Sequence, residues 1–568
     1  MKKVYKISSL VFLISLLLTA GIVFSQKPAL AQQGDEPQAL IYGTVMDAQN
    51  QPVSDAEIKL STPSRGEPLV TVSSQEDGSF ALPLPDKFPA ELILRVDRSH
   101  FQELQHPLSR ENRQALENGG SLTLREFTLQ RKISPAFWIA GVVFIGVLIL
   151  IATGFYHNTL ASLIGVAALF AVSYLGGSLR EDLFIFSFQR ALQYIDWNVI
   201  FLIMGMMMVI AVVEDTGIFR WLAFFAYRVS GGRMWILLPV LMLITGVSSA
   251  FLDNVTTMLL MTPFTVQISI ALGISPLALL LPEVFASNVI GVSTLIGTPT
   301  NILIGSYAGI SFNDFLTNLT PGVLIAFAGL TAYSWFIYRD DLKQAKTGSP
   351  VLMEKLAEQG TITRPEALKK AGWVGAGMLV LFIFGEQIHL LPSVTAVMGA
   401  TALLVWLRPD VEEMIDAVDW TTLVFFMSLF MVVGAIQEVG LISYIASGIG
   451  RLVGQNLPLA MVVLTWASAL LSMIVANIPF TAAVLPVVGY LTSTIPAAEG
   501  NVLFYCLSVG AAMGGNGSLI GASANMITAG ISERAGYNIT YRYFMKKGLP
   551  ALAVTVTLAL GWLLIRFL

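Results

Sequence analysis

The chain reads as an all-α polytopic membrane protein, an inverted repeat with two re-entrant hairpins and broken helices, carrying a small N-terminal β-sandwich domain. Three observations predict that class. Of 568 residues, 55% are hydrophobic and only 12% charged, and the mean hydropathy of +0.71 is far above the soluble range. The second half repeats the first. Asp196-Trp197 recurs as Asp419-Trp420, Asn254 as Asn477 and Pro263 as Pro486, all shifted by 223 residues, and Leu295–Asn301 recurs as Leu519–Asn525, shifted by 224. Finally, the Lys and Arg residues place matching segments of the two copies on opposite faces of a membrane.

Composition excludes several classes. A net charge of −4 with no basic patch gives no nucleic-acid surface. The single cysteine, Cys506, and four scattered histidines, His100, His106, His157 and His389, form no disulfide framework and no metal-ligand spacing. No nucleophile–base pair stands out, so the sequence reads as a non-enzyme without cofactor.

Along the chain, residues 1–31 read as a signal peptide: Lys2, Lys3 and Lys6 precede an apolar core at 10–23 and the small-residue pattern Ala29-Leu30-Ala31. Residues 38–130 read as an extracytoplasmic β-sandwich, with strands at 39–45, 56–60, 69–72, 79–82, 91–96 and 122–129 and a hairpin turn at Asp77-Gly78. Gly43-Thr44-Val45, Pro52-Val53-Ser54-Asp55-Ala56 and Asp77-Gly78-Ser79-Phe80 resemble the carboxypeptidase regulatory-like domain, a resemblance that implies a binding or packing module.

Residues 136–338 form the first repeat with an extra first helix, 339–371 a charged cytoplasmic linker and 372–568 the second repeat. Spans at 136–155, 159–176 and 197–213 lead to an amphipathic stretch, 217–233, whose Arg220, Arg228 and Arg233 belong inside. A hairpin over 234–273 turns at Asp253-Asn254, and a helix over 277–309 breaks at Gly297–Asn301. The second copy runs the same course from the opposite face, with its hairpin tip at Asn477 and its break at Gly521–Asn525. The C-terminus then lies outside, like the β domain, and the host bilayer is the cytoplasmic (inner) membrane.

Duplicated apolar units whose helices are interrupted by Gly, Pro and Asn are the pattern of secondary transporters, where helix ends and freed backbone groups hold substrate and ion near the bilayer midplane. The candidate binding residues are therefore Asp253, Asn254, Thr256, Thr257, Asn288, Gly297, Thr298, Asn301, Asn477, Thr481, Asn516, Gly521, Ser523 and Asn525. An isolated intramembrane Asn is ordinarily a cap or an interhelical hydrogen bond; its duplication at helix breaks favours a site. Asp253 is the only carboxylate at either tip, its counterpart being Ala476, and it must be paired, ion-bound or protonated. Glu283 reads either as a pathway carboxyl or as an interface residue. Met204, Met206, Met207 and Met208 read as helix packing.

Leu252–Leu260, Ala286–Asn288 with Leu295–Asn301, and Gly514–Asn525 resemble motifs of the ion transporter superfamily, in its branch of the P protein and ArsB-type permeases, related to the divalent anion:sodium symporters. The resemblance covers residues 136–568 and implies an elevator-type exchanger, commonly a homodimer, whose tips and breaks hold substrate and coupling ion. In dicarboxylate symporters each tip reads Ser-Asn-Thr, whereas these read Asp253-Asn254-Val255 and Ala476-Asn477-Ile478. Where the P-protein pattern has an acidic residue in the first break, this chain has Thr298.

The resulting expectation is a secondary active permease moving a small anion or oxyacid across the cytoplasmic membrane, coupled to H+ or Na+ at the same sites, with the lipid bilayer as its other partner. A Na+/H+ antiporter, favoured by Asp253, and a non-transporting receptor using the external domain are the competing readings.

Overall fold

The computed structural model describes residues 40–568, apart from 49–51, 63–67, 85–88, 90, 118–120, 125, 345–356, 359 and 496. The signal segment read at 1–31 lies outside the described residues. The chain divides into two compact units, Met1–Lys132 and Ile133–Leu568.

In the first unit, alternating side chains bury one face of each principal strand. Strands β1 (Leu40–Asp47), β2 (Glu57–Ser61), β3 (Val70–Ser73), β4 (Ser79–Pro83), β5 (Ile93–Asp97), β6 (Leu104–Pro107), β7 (Leu122–Thr123) and β8 (Phe127–Leu129) form two four-stranded sheets. One is ordered β4-β1-β7 with β8 also on β1, the other β3-β2-β5-β6. Ile41, Val45, Ile58, Leu60, Leu82, Leu94 and Val96 are fully buried among them. Gly78 adopts φ +77°, and a Cβ there would lie 2.5 Å from the Val45 carbonyl oxygen, so the turn requires glycine. One edge of the first sheet is parallel, unlike the antiparallel pairs elsewhere in the two sheets. β6 and a helix, α1 (Arg110–Glu117), intervene after β5, so the chain returns to β1 in the same direction, and β7 and β8 pair with it in parallel.

Among the described residues, the second unit holds two sets of ten helices in the same order. The first set is α2 (Pro135–Thr153), α3 (Asn158–Ala171, continuing through a π turn to Leu179), α4 (Phe188–Gln193), α5 (Trp197–Asp215), α6 (Ile218–Ser230), α7 (Met234–Leu252), α8 (Asn254–Ala271), α9 (Leu277–Ile290), α10 (Pro299–Ala308) and α11 (Phe312–Gln344). The second is α12 (Pro365–Phe384), α13 (Pro392–Leu407), α14 (Val411–Asp416), α15 (Trp420–Glu438), α16 (Leu441–Val453), α17 (Leu457–Ser472), α18 (Asn477–Thr494), α19 (Val502–Gly514), α20 (Ser523–Arg534) and α21 (Tyr541–Phe567). The helix read from sequence as an addition to the first repeat, α2, therefore has a counterpart in α12. Its equivalence escapes the sequence because both helices are plain apolar segments without a punctuating motif.

Among the described residues, eight helices are long and apolar enough to cross a membrane, and four more apolar helices are shorter. Asp196 and Asp419, the recurring Asp of the Asp-Trp pairs, cap α5 and α15. Asp196 Oδ1 accepts from the Asn198 and Val199 N–H groups at 3.0 and 3.3 Å, and Asp419 Oδ1 accepts from Thr422 N–H at 3.1 Å.

Packing divides these helices into two groups. In an outer frame, α5 lies along α13 and α15 along α3, with α2 and α12 beside them. In an inner bundle, α7 packs on α9, α17 on α19, and α11 on α21. The hairpin arms cross over between repeats: α8 packs on α20, and α18 on α10. The short, strongly amphipathic α6 and α16 lead from frame to bundle. With each broken helix counted as one pass, each repeat has an odd number of apolar passes whether or not its hairpin spans, which fits an inverted second copy.

Candidate functional site

The two helix breaks are built alike. After α9 and α19, single 3-10 turns (Gly291–Ser293 and Gly515–Gly517) end in extended backbone before α10 and α20 begin. At the first break, Gly297 leaves no room for a side chain: a Cβ would lie 2.3 Å from the Gly291 carbonyl oxygen and 3.0 Å from Ala250 Cα. At the second, a Cβ on Gly521 would lie 3.1 Å from the Cα and from the carbonyl oxygen of Gly515. Backbone freed in a membrane must be satisfied internally, and one Asn per break does this. Asn301 donates to the carbonyls of Val292 and Thr294 at 3.0 and 2.8 Å, and Asn525 to those of Gly515 and Ser518 at 2.7 and 2.9 Å. Carbonyls that the sequence offers to a cation are thus bonded by these amides. Thr294 and Ser518 also occupy equivalent positions, their hydroxyls donating to the Ala250 and Met473 carbonyls and tying each break to the first hairpin arm of its own repeat.

Four of the predicted asparagines meet across the repeats. Asn254, at the first residue of α8, donates to Asn288 Oδ1 at 2.8 Å; Asn288 Nδ2 donates to Asn516 Oδ1 at 2.9 Å and Asn525 Oδ1 at 3.2 Å. All four are at least 96% buried. At the other break, the Thr298 and Thr300 hydroxyls are 2.9 Å apart, and Asn301 Oδ1 accepts from Ser508 Oγ of α19 at 2.6 Å. Asn477 is 5% exposed, and among the described residues its side-chain amide has no hydrogen-bond partner.

The helix starts differ between repeats. Asp253, at φ +75°, caps α8: its Oδ1 accepts from Val255 and Thr256 N–H at 2.7 and 2.9 Å, and its Oδ2 from the Thr256 hydroxyl at 2.9 Å. Thr298 caps α10 through Asn301 N–H at 3.2 Å. In the second repeat, the corresponding residues are Ala476 and Ala522, and neither α18 nor α20 has a side-chain cap. Each crossed pair, α8 with α20 and α18 with α10, therefore combines a capped helix start with an uncapped one. An uncapped start presents N–H donors and positive potential, a setting for an anion.

The remaining predicted residues are placed as follows. Thr257 and Thr481, one residue out of step in the repeat, donate to the Asp253 and Asn477 carbonyls, both at 2.7 Å, reinforcing the first turns of α8 and α18. Ser523 is exposed on the first turn of α20 and joins no described hydrogen bond. Thr294, Ser518 and Ser508 were not singled out from sequence. The first two keep a hydroxyl in both copies at the 224-residue shift, a signal available in the repeat; Ser508 is a lone serine in an apolar helix and carries none.

Two repeats of odd span number meeting at paired hairpin turns and helix breaks define a polytopic membrane protein of transporter architecture. The chain matches the family model described as Citrate transporter (CitMHS) over residues 147–501 and belongs to that family; it is a membrane transporter. It is 34% identical over 430 residues to an uncharacterized transporter of Mycobacterium tuberculosis, covering 76% of this chain and 98% of that one. It is 35% identical over 437 residues to a 46 kDa membrane protein of Mycobacterium leprae, covering 76% and 99%. The human P protein is 32% identical over 518 residues, covering 77% of this chain and 61% of its own length.

Proposed function

We propose that the protein is a secondary active transporter for a small anion, of the carboxylate or oxyanion class, coupled to H+ or Na+. The observation that carries this reading is the uncapped start of α18, with the Asn477 amide, unpartnered among the described residues, at its first turn and α10 packed beside it. The family description makes citrate the first substrate to try. The hairpins α7–α8 and α17–α18 are re-entrant in this reading, entering from opposite faces. The bundle moves as a body against the frame, pivoting on α6 and α16. A cavity of about 290 Å³ between α5, α12 and α13 of the frame and α10 and α11 of the bundle supports such movement, since little dense packing has to be broken there. The host is the cytoplasmic membrane, with the β unit outside as a binding or packing module of the carboxypeptidase regulatory-like kind.

The test is uptake into proteoliposomes holding the full chain, with citrate, succinate, phosphate and arsenite offered under imposed pH and sodium gradients. Gradient-driven accumulation of at least one anion is expected. Sodium–proton exchange without anion flux would replace this reading with the antiporter, and no flux of any kind with the receptor.

A further inference from the structure

Glu283 lies in α9, in the first half of the broken helix, five residues or about 7.5 Å along the axis from Asn288. Its side chain is fully buried. One oxygen, Oε1, accepts from the Thr265 hydroxyl of α8 at 3.0 Å; the other, Oε2, is buried with no hydrogen-bond partner. Among the described residues no Lys, Arg or His lies within the 4.0 Å of an ion pair. Helices α7 and α8, which pack on α9, carry no titratable residue within their spans. The other neighbours, α11, α19, α20 and α21, carry Asp314, Tyr333, Tyr338, Arg339, Asp340, Asp341, Lys343, Tyr505, Cys506, Glu533, Arg534, Tyr541, Arg542, Tyr543, Lys546, Lys547 and Arg566. None of them bonds Glu283 among the described residues. Several are engaged elsewhere: Arg339 with Asp340, Lys547 over the Tyr338 ring, and Tyr505 accepting from Asn318.

We propose that Glu283 is the proton-binding group of this transporter, loading a proton at the α8–α9 contact and releasing it to water during each cycle. The inference rests on the transport reading above and adds to it the coupling ion and its seat. A carboxylate buried without countercharge or full hydrogen bonding is strongly disfavoured, so the closed packing described here holds the acid form. Release breaks the Oε2–H bond, leaves its electron pair on Glu283 and hands the proton to water. The charged form then requires water to reach the α8–α9 contact. Because α8 begins at Asn254 and α9 carries Asn288, hydration of that contact changes the support of the asparagine cluster, which links proton release to the binding site.

Two measurements on the full chain test the proposal. Infrared difference titration needs no substrate: a carboxylic-acid carbonyl band should titrate in the wild type, be absent in Glu283→Gln and return, shifted, in Glu283→Asp. In proteoliposomes, acceleration of citrate uptake by a pH gradient should be lost in Glu283→Gln while citrate–citrate exchange, which moves no net proton, persists; Glu283→Asp should recover the acceleration. An unchanged titrating band in Glu283→Gln, or unchanged acceleration by the gradient, would overturn the proposal. If citrate proves not to be carried at all, the transport reading for that anion fails, and the infrared result still decides the fate of Glu283.

Discussion

Asp253 and Ala476 hold the same position in the two repeats, and only Asp253 caps the helix that follows it. The copies have kept the hairpin and the Asn at its turn, yet one helix start is closed by its own carboxylate and the other is open. Duplication alone yields equivalent halves; this substitution makes them unequal, and the proposed function places the anion at the second repeat's hairpin.

A carboxylate placed in the open position should compete with substrate. Ala476→Asp is expected to fold and insert like the wild type, supplying a cap, and to abolish anion uptake, whereas Ala476→Gly should retain uptake. Flux assays beside size-exclusion profiles in detergent separate the two outcomes.

At Asp253 the expectation runs the other way. Asp253→Asn keeps a capping oxygen, tolerates positive φ and should preserve thermal stability. Asp253→Ala removes the cap and places Ala at φ +75°, at a combined cost of about 2 kcal/mol. Melting temperatures of the purified variants check this.

Asn288 bonds three other buried asparagines, so its loss strands more polar groups than the loss of Asn254 at the edge of the cluster. Asn288→Ala should destabilise by about 1–3 kcal/mol for each buried group left unpaired, more than Asn254→Ala. A thermal-shift series including Asn254→Ala, Asn288→Ala and Asn525→Ala gives the ranking.

The first break should not accept a methyl group. In Gly297→Ala the new Cβ meets backbone on two sides, so a sharp fall in monodisperse yield is expected. Gly561→Ala in α21, where nothing lies within 4 Å, is the tolerated control.

The sequence made the membrane architecture legible because its signals are redundant: long apolar runs, a repeat marked by Asp-Trp, Asn and Pro, and charges that alternate between faces. The hairpin turns and helix breaks were legible for the same reason, since Asn254, Gly297, Asn301 and their counterparts recur together. What each residue does there was less so. Asn301 and Asn525 read as ligands, whereas the structure employs their amides in closing the breaks. The crossover of α8 onto α20, and the meeting of Asn288 with Asn516 and Asn525, depend on how two distant segments pack, which local pattern does not encode. In the β unit, β6 and α1 lack strong alternation or punctuation, and the parallel edge of β1 followed from them.

The most direct test of an anion seated at the open start of α18 is substrate protection of a thiol placed there. With Ala476→Cys in a Cys506→Ser background, reconstituted and exposed to a small maleimide, the transported anion should slow alkylation in proportion to its occupancy. It should leave a thiol at the half-buried Gly561 position unaffected. Equal labelling of Ala476→Cys with and without a saturating concentration of an anion that the same vesicles carry would contradict the account.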